Sequence, residues 1–350
     1  MRCYAMVLLA VAACGLASDR PAYADPVPFN APGFDYIKVL DGGASVLNGA
    51  SFSPDARYIA YIERNQGANL RAVKMYDRQT SSTTTLLQGT YNMWMGVPFF
   101  SDDGTKIGFG YWNGTPSANT IEVYNLNGTL HQSYGVTSGD IANSDFLGST
   151  VNKFVAWDYG VGGSVADLFI MDGSGTPSDM SRTNITSTAS YKEYEPDSTR
   201  AGDKILYWSG ETPSEPLDAT HTLTWDGSTW VKDSGFDPIA GSTWAFWSRD
   251  ESKIGLTKYD ASPGYGMGDL YVYDSSGNLL FDLTGSNVGQ GSYWQYFGFN
   301  FNVGREYLFT SGAGNTMGGR DVWIAIPAPG AVVLGWLGLG LIGWLKRRWA

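Results

Sequence analysis

The sequence predicts an all-β fold, a six-bladed β-propeller whose last blade is closed by a strand from the N-terminal side. Three observations predict it. A short apolar motif returns six times at a spacing of about 50 residues. Each copy is followed by further β-rich runs that close on turn residues. No amphipathic stretch of helical length occurs between residues 25 and 326. The chain has 350 residues, 43% of them hydrophobic and only 16% charged, which excludes a disordered or highly charged protein.

The N-terminal segment is read first. Arg2 precedes an apolar run over residues 6–17, and Ala22-Tyr23-Ala24 is a small-x-small cleavage site, so residues 1–24 read as a secretory signal. Val11-Ala12-Ala13-Cys14 also resembles a lipobox, which leaves lipidation at Cys14 beside cleavage after Ala24. Cleavage after Ala24 removes Cys3 and Cys14, the only cysteines, and with them disulfides, thiol catalysis and Cys-ligated metals. Residues 25–33 form a short linker. Residues 25–326 keep 18 basic and 33 acidic side chains, a net charge of −15, which excludes nucleic acid as a partner.

The propeller is expected over residues 34–326. Phe52-Ser53-Pro54-Asp55-Ala56-Arg57-Tyr58-Ile59 returns as Phe100-Ser101-Asp102-Asp103-Gly104-Thr105-Lys106-Ile107 and as Trp247-Ser248-Arg249-Asp250-Glu251-Ser252-Lys253-Ile254. With weaker copies, the central apolar residues are Ile59, Ile107, Val155, Ile205, Ile254 and Leu308, in steps of 48, 48, 50, 49 and 54. A second β-rich run follows each, at 73–77, 121–125, 168–172, 222–226, 270–274 and 322–325; five end in Asp or Asn, three of them directly before Gly or Ser. Four short strands per repeat make one blade. The sixth repeat reaches Pro327 after its third strand, so its outer strand is missing, and residues 36–41 have the pattern to supply it. Under the period-two rule Ile37 and Val39 share a side, expected to face the core between blades 6 and 1.

The Ser-x-Asp turn of Ser53-Pro54-Asp55, followed by Tyr58-Ile59-Ala60 and later Tyr76-Asp77, resembles the TolB-type WD40-like repeat. The resemblance is strong in repeats one, two and five, and it implies a six-bladed propeller. The Gly-His and Trp-Asp marks of true WD40 repeats are absent. TolB-type proteins carry an extra domain before the propeller, and only about ten residues separate Ala24 from the first strand, so that family's envelope-complex role is not implied. Residues 327–350 run from Pro327-Ala328-Pro329 through an apolar stretch at 331–345 to Lys346-Arg347-Arg348. As a helix the stretch spans roughly 22 Å against a hydrocarbon core of about 30 Å, with its basic end on the cytoplasmic side. Pro327, Pro329, Arg347 and Arg348 resemble the PEP-CTERM sorting signal, with Ala328 where that motif has Glu. The resemblance implies an exosortase-like processing enzyme as a partner and a place at the cell envelope or surface. An ordinary tail anchor is the other reading.

The search for chemistry returns little. His131 and His221 are the only histidines, neither accompanies a nucleophile elbow, and both read as surface residues. The Asp-rich turns at 172–175 and 274–277 lack the ligand spacing of a calcium loop, so no metal, cofactor or catalytic residue is assigned. Asp145, Asp158, Glu193 and Glu195 lie near strand ends, where carboxylate pairs of propeller glycosidases and lyases occur. Aromatic residues give the positive signal. Tyr91, Trp94, Trp112, Trp157, Trp208, Trp244, Tyr265 and Trp294 fall on loops and strand ends expected to share one face, where exposed rings on an acidic rim suit sugars or a peptide. The expectation is therefore an exported, non-enzymatic propeller binding an extracellular polysaccharide or envelope protein through that face. A carbohydrate-active enzyme on the same scaffold is the alternative.

Overall fold

The computed structural model describes residues 31–328 apart from 113–118, 137–140, 142–143, 159–165, 188–191, 211–218, 237, 249, 259–268, 285–292, 296–299, 302–305 and 314–319. The described residues form six blades of antiparallel strands. Blade 1 runs outward through Val46–Phe52, Tyr58–Asn65, Leu70–Asp77 and Ser82–Gly89. In blade 2 the inner strand is split into Trp94–Met95 and Phe99–Phe100, and Lys106–Trp112, Thr120–Asn125 and Leu130–Gly135 follow. Blade 3 comprises Ser144–Phe146, Lys153–Asp158, Asp167–Asp172 and Ser181–Asn184. Blade 4 comprises Lys192–Ser198, Lys204–Gly210, Ala219–Trp225 and Trp230–Lys232. Blade 5 comprises Ser242–Trp247, Lys253–Lys258, Asp269–Asp274 and Leu279–Asp282. Blade 6 takes its inner pieces from Tyr293–Gln295 and Asn300–Phe301, then Tyr307–Ala313 and Arg320–Pro327, and its outer strand from Phe34–Leu40.

The expected closure is present. Phe34–Leu40 pairs antiparallel with Arg320–Pro327, with Tyr36 opposite Ala325 and Ile37 opposite Ile324. Its facing is as expected, but Ile37 is not buried. Phe34 and Tyr36 turn toward blade 5, where the Phe34 ring lies 5.3 Å from that of Phe281 and the Tyr36 hydroxyl donates to the Leu283 carbonyl at 2.7 Å. Val39 does pack into the core between blades 6 and 1, but Ile37 is 38% exposed. Ile37 lies opposite Ile324, which belongs to that same core, so it is on the expected side and is left exposed at the outer edge of the blade. The seam is also tied by charge. Lys38 is buried against Asp321 at 2.9 Å, and Arg78 of blade 1 meets Glu306 of blade 6 at 2.7 Å.

The core is divided among the blade interfaces. Six buried apolar clusters are found among the described residues, and each joins one blade to the next around the ring, from blades 1 and 2 to blades 6 and 1. A ring of six blades has six such interfaces, so the clusters account for closure independently of strand pairing. The repeat alignment needs one correction. Ile59, Ile107, Ile205 and Ile254 face the preceding blade, whereas Val155 and Leu308 face the following one. Their structural counterparts are Phe154 and Tyr307, one residue earlier, each facing the preceding blade. Neighbouring residues of a strand point to opposite sides, and both are apolar here, so composition could not separate them.

Residues 1–30 and 329–350 lie outside the described residues, and with them the expected signal segment and Pro329, Arg347 and Arg348. Pro327 is the last residue of the closing pair, opposite Phe34. No helix among the described residues is long and apolar enough to cross a membrane.

Candidate functional site

The turn after each inner strand explains the repeated motif. Ser53 donates to Asp55 at 2.6 Å and accepts from the Tyr58 N–H at 2.8 Å. Ser101 with Asp103 and Lys106, and Ser248 with Asp250 and Lys253, repeat both bonds. Blade 4 makes the same turn with Thr199, which donates to Asp203 and accepts from the Lys204 N–H. These turns fix the end of each inner strand at the axis of the ring.

The inner strands are bulged just before that turn. In blades 1, 4 and 5 the pairing register shifts between Asn48 and Ser51, Tyr194 and Asp197, and Thr243 and Phe246. The residue inside each bulge has a positive φ: Gly49 at 57°, Glu195 at 52° and Trp244 at 54°. Glycine adopts this conformation freely, but Glu and Trp are strained by about 1–2 kcal/mol. Bulges re-aim side chains and recur beside functional sites.

A cavity of about 130 Å³ lies on the axis, lined by the inner strands of blades 1 to 5. At roughly 30 Å³ per water it holds a few waters or one group of a larger ligand. Its polar lining is acidic: Asp102, Asp145, Glu195, Asp197 and Glu251, with Arg200 as the one cation among the described residues. Asp145 and Asp197 stand at the inner-strand position filled by Ser51, Phe99 and Phe246 in blades 1, 2 and 5. Each also locks its blade to the next. Asp145 accepts from the Ser198 N–H at 3.0 Å, and Asp197 accepts from the Trp247 N–H at 2.6 Å. Burial, reinforced by the Asp102 charge, pushes the Asp145 carboxyl up to about 7. Burial and then the nearby Asp145 push Asp197 well above the usual carboxylate range. Near neutral pH this pair holds a proton, so it can donate a hydrogen bond as well as accept one. At the turn end, Arg200 of blade 4 reaches Asp102 of blade 2 at 3.3 Å, while its N–H donates to Glu251 of blade 5 at 2.8 Å.

The aromatic residues do not form an exposed shelf among the described residues. Trp157 is buried, and Trp94 packs on the cluster that contains it. Tyr194 links Trp157 to Trp208, with ring centroids 4.9 and 4.4 Å away. Trp208 donates from Nε1 to Glu195 at 2.7 Å. Trp112 pairs with Trp94 across adjacent strands, and Tyr91 lies under the Arg64 guanidinium at 5.1 Å. Of the six whose side chains are described, Trp244 lines the axial cavity. Tyr265 lies outside the described residues, as does the side chain of Trp294.

Of the four candidate carboxylates, Asp145 and Glu195 reach the cavity. Asp158 is buried in an ion pair with Arg182, and Glu193 is buried at the start of the blade 4 inner strand. Asp197, Asp102, Glu251 and Arg200 were missed. The signal for Asp197 was available: a charged residue recurring at the place just before the turn, where other blades carry Ser or Phe. His221 is half-buried, not a surface residue. It stacks on Tyr207 at 5.4 Å, and burial pulls its pKa down to about 4. Among the described residues no cluster of three or more His, Cys, Asp or Glu side chains is arranged to hold a metal ion.

No protein-family model matches the chain, and no curated protein matches it either. Solved structures do. TolB from Acinetobacter baumannii superposes with a TM-score of 0.52 at 15% identity, covering 77% of this chain and 64% of that one. A gluconolactonase from Xanthomonas campestris superposes with a TM-score of 0.53 at 10% identity, covering 87% of this chain and 95% of the other. An oligogalacturonate lyase from Vibrio parahaemolyticus reaches a TM-score of 0.49 at 11% identity, covering 85% and 98%. The fold is the TolB-like six-bladed propeller. The expectation of a non-enzymatic protein is withdrawn: the same fold carries a lactonase, and enzymatic status is undetermined at these identities.

Proposed function

We propose that the chain is an exported propeller, held at the cell envelope by its C-terminal segment, that binds an extracellular polysaccharide or an envelope protein at its axial cavity. One observation carries the binding reading. Strained backbone at Glu195 and Trp244 places a carboxylate and an indole on a cavity where inner strands from five blades converge. The acid-rich lining suits neutral hydroxyl groups or a cationic side chain and disfavours anions. The apolar, basic-ended tail supports export to the envelope and processing by an exosortase-like enzyme.

The test is a glycan array, with extracted envelope proteins as a second panel, probed by the chain and by its Trp244→Gly variant. Glycine suits the φ of 54°, so the variant removes the ring without backbone cost. Loss of binding with an unchanged melting temperature supports the reading; equal binding by both proteins defeats it. A second reading, a carbohydrate-active enzyme, is favoured by the proton-holding Asp145 and Asp197 pair. It requires release of new sugar ends from a bound glycan and loss of that release in Asp145→Asn.

A further inference from the structure

A groove of about 610 Å³ lies away from the axis, between the outer strand of blade 3 and the outer hairpin of blade 4. We propose that it is a binding site for a neutral oligosaccharide, with Trp225 as the stacking platform. Trp225 is 43% exposed, one of few large apolar side chains that open to solvent among the described residues. It does not stand alone. Trp230, its cross-strand partner, lies 5.7 Å away ring to ring and is anchored against the core between blades 3 and 4.

The hairpin that joins them is locked. The Asp226 N–H donates to the Thr229 carbonyl at 3.1 Å. The Asp226 carboxylate accepts from the Ser228 N–H, the Ser228 hydroxyl and the Thr229 N–H, all within 2.9 Å. Gly227 takes the positive φ, 98°, that this turn demands. The platform is thus set before any ligand arrives, which lowers the ordering cost of binding.

The rest of the lining selects the ligand class. Thr183 and Thr186 supply neutral hydroxyls that can donate, and Ser228, whose proton goes to Asp226, can accept. Lys153 is the only charged residue of the lining among the described residues, and its ammonium is held 2.9 Å from Asp172. A sugar ring has an apolar C–H face and a rim of hydroxyls, which matches an indole plate bordered by hydroxyl side chains. The volume falls within the range of small-ligand sites, about 300–1,000 Å³. The site shares no lining residue with the axial cavity, so it stands whether or not that reading does.

The experiment titrates the full chain with cello-, xylo- and mannohexaose, and with an oligogalacturonate as the anionic contrast, by calorimetry. At least one neutral hexasaccharide should bind more tightly than the anionic one. Trp225→Ala should weaken that binding about tenfold or more, and Trp225→Tyr should restore most of it. Leu279→Ala, an exposed side chain on the outer strand of blade 5, should leave it unchanged, and Trp244→Gly is titrated beside it. Absence of binding by all three neutral sugars, preference for the anion, or equal affinity in Trp225→Ala would overturn the proposal. A loss confined to Trp244→Gly would overturn it too, and would place sugar binding at the axis.

Discussion

At the scale of single residues, two buried titratable groups pull the pH dependence of stability in opposite directions. The folded-state pKa of Asp145 is raised to about 7, mainly by burial. Its contribution is therefore full below the unfolded value of about 4 and is lost as pH rises toward 7. The pKa of His221 is lowered to about 4, again mainly by burial. Its contribution is full above about 6.5 and is lost as pH falls toward 4. Both act in the same window, where their slopes oppose each other. Asp145→Asn should make stability rise more steeply with pH, by up to about 1 kcal/mol per pH unit near pH 5.5, and His221→Gln should do the reverse. Urea unfolding at pH 4.5, 5.5 and 6.5 reads both slopes; three parallel curves would contradict the assignment. Residue chemistry was only partly legible in the sequence. Asp145 and Glu195 stood out as carboxylates near strand ends, but their convergence with Asp197 depends on how three separate blades meet at the axis.

At the scale of the element, the motif that made the repeats visible is a turn device. A hydroxyl bridges the carboxylate two residues on and the N–H five residues on, in blades 1, 2 and 5. Blade 4 replaces Ser by Thr and moves the carboxylate to Asp203, so it read as a weak copy although it makes the same turn. Ser248 is buried, and Ser248→Ala removes both bonds and leaves the Lys253 N–H to find another acceptor. The variant should lose about 1–2 kcal/mol by thermal or urea unfolding, and a loss below about 0.3 kcal/mol would show the turn to be decorative. The bulges beside these turns had no comparable signature. Gly49 hints at a special backbone, but Glu195 and Trp244 adopt the same φ against their own preference, and no local pattern announces that. The exposure of the aromatic residues was not legible for a related reason. A ring near a strand end reads alike whether it faces solvent or, like Trp157, the neighbouring blade.

At the scale of the whole molecule, the ring depends on one non-covalent seam, the pairing of Phe34–Leu40 with Arg320–Pro327. Its existence was legible, because a sixth repeat lacking an outer strand leaves an edge that something must cover. The exposure of Ile37 was not, because alternation assigns a side of the sheet but not how far the neighbouring blade covers an outer strand. Two substitutions separate a strand buried on both sides from the one observed. Tyr36 packs against the core of blades 5 and 6, accepts from the Ala31 N–H at 3.2 Å and donates to Leu283, so Tyr36→Ala should cost about 3 kcal/mol or more. Ile37→Lys should change stability by no more than about 0.5 kcal/mol, since the side chain already meets water. The reverse ranking would put Ile37 in the core after all. Deleting residues 31–42 goes further, because it removes Lys38 from Asp321 and bares the backbone edge of Arg320–Pro327. An unpaired edge accepts a strand from another chain. That deletion should therefore elute as dimers or larger species by size-exclusion chromatography with light scattering, while Ile37→Lys elutes with the native protein. A stable monomer from the deletion would mean that the ring closes without its outer strand.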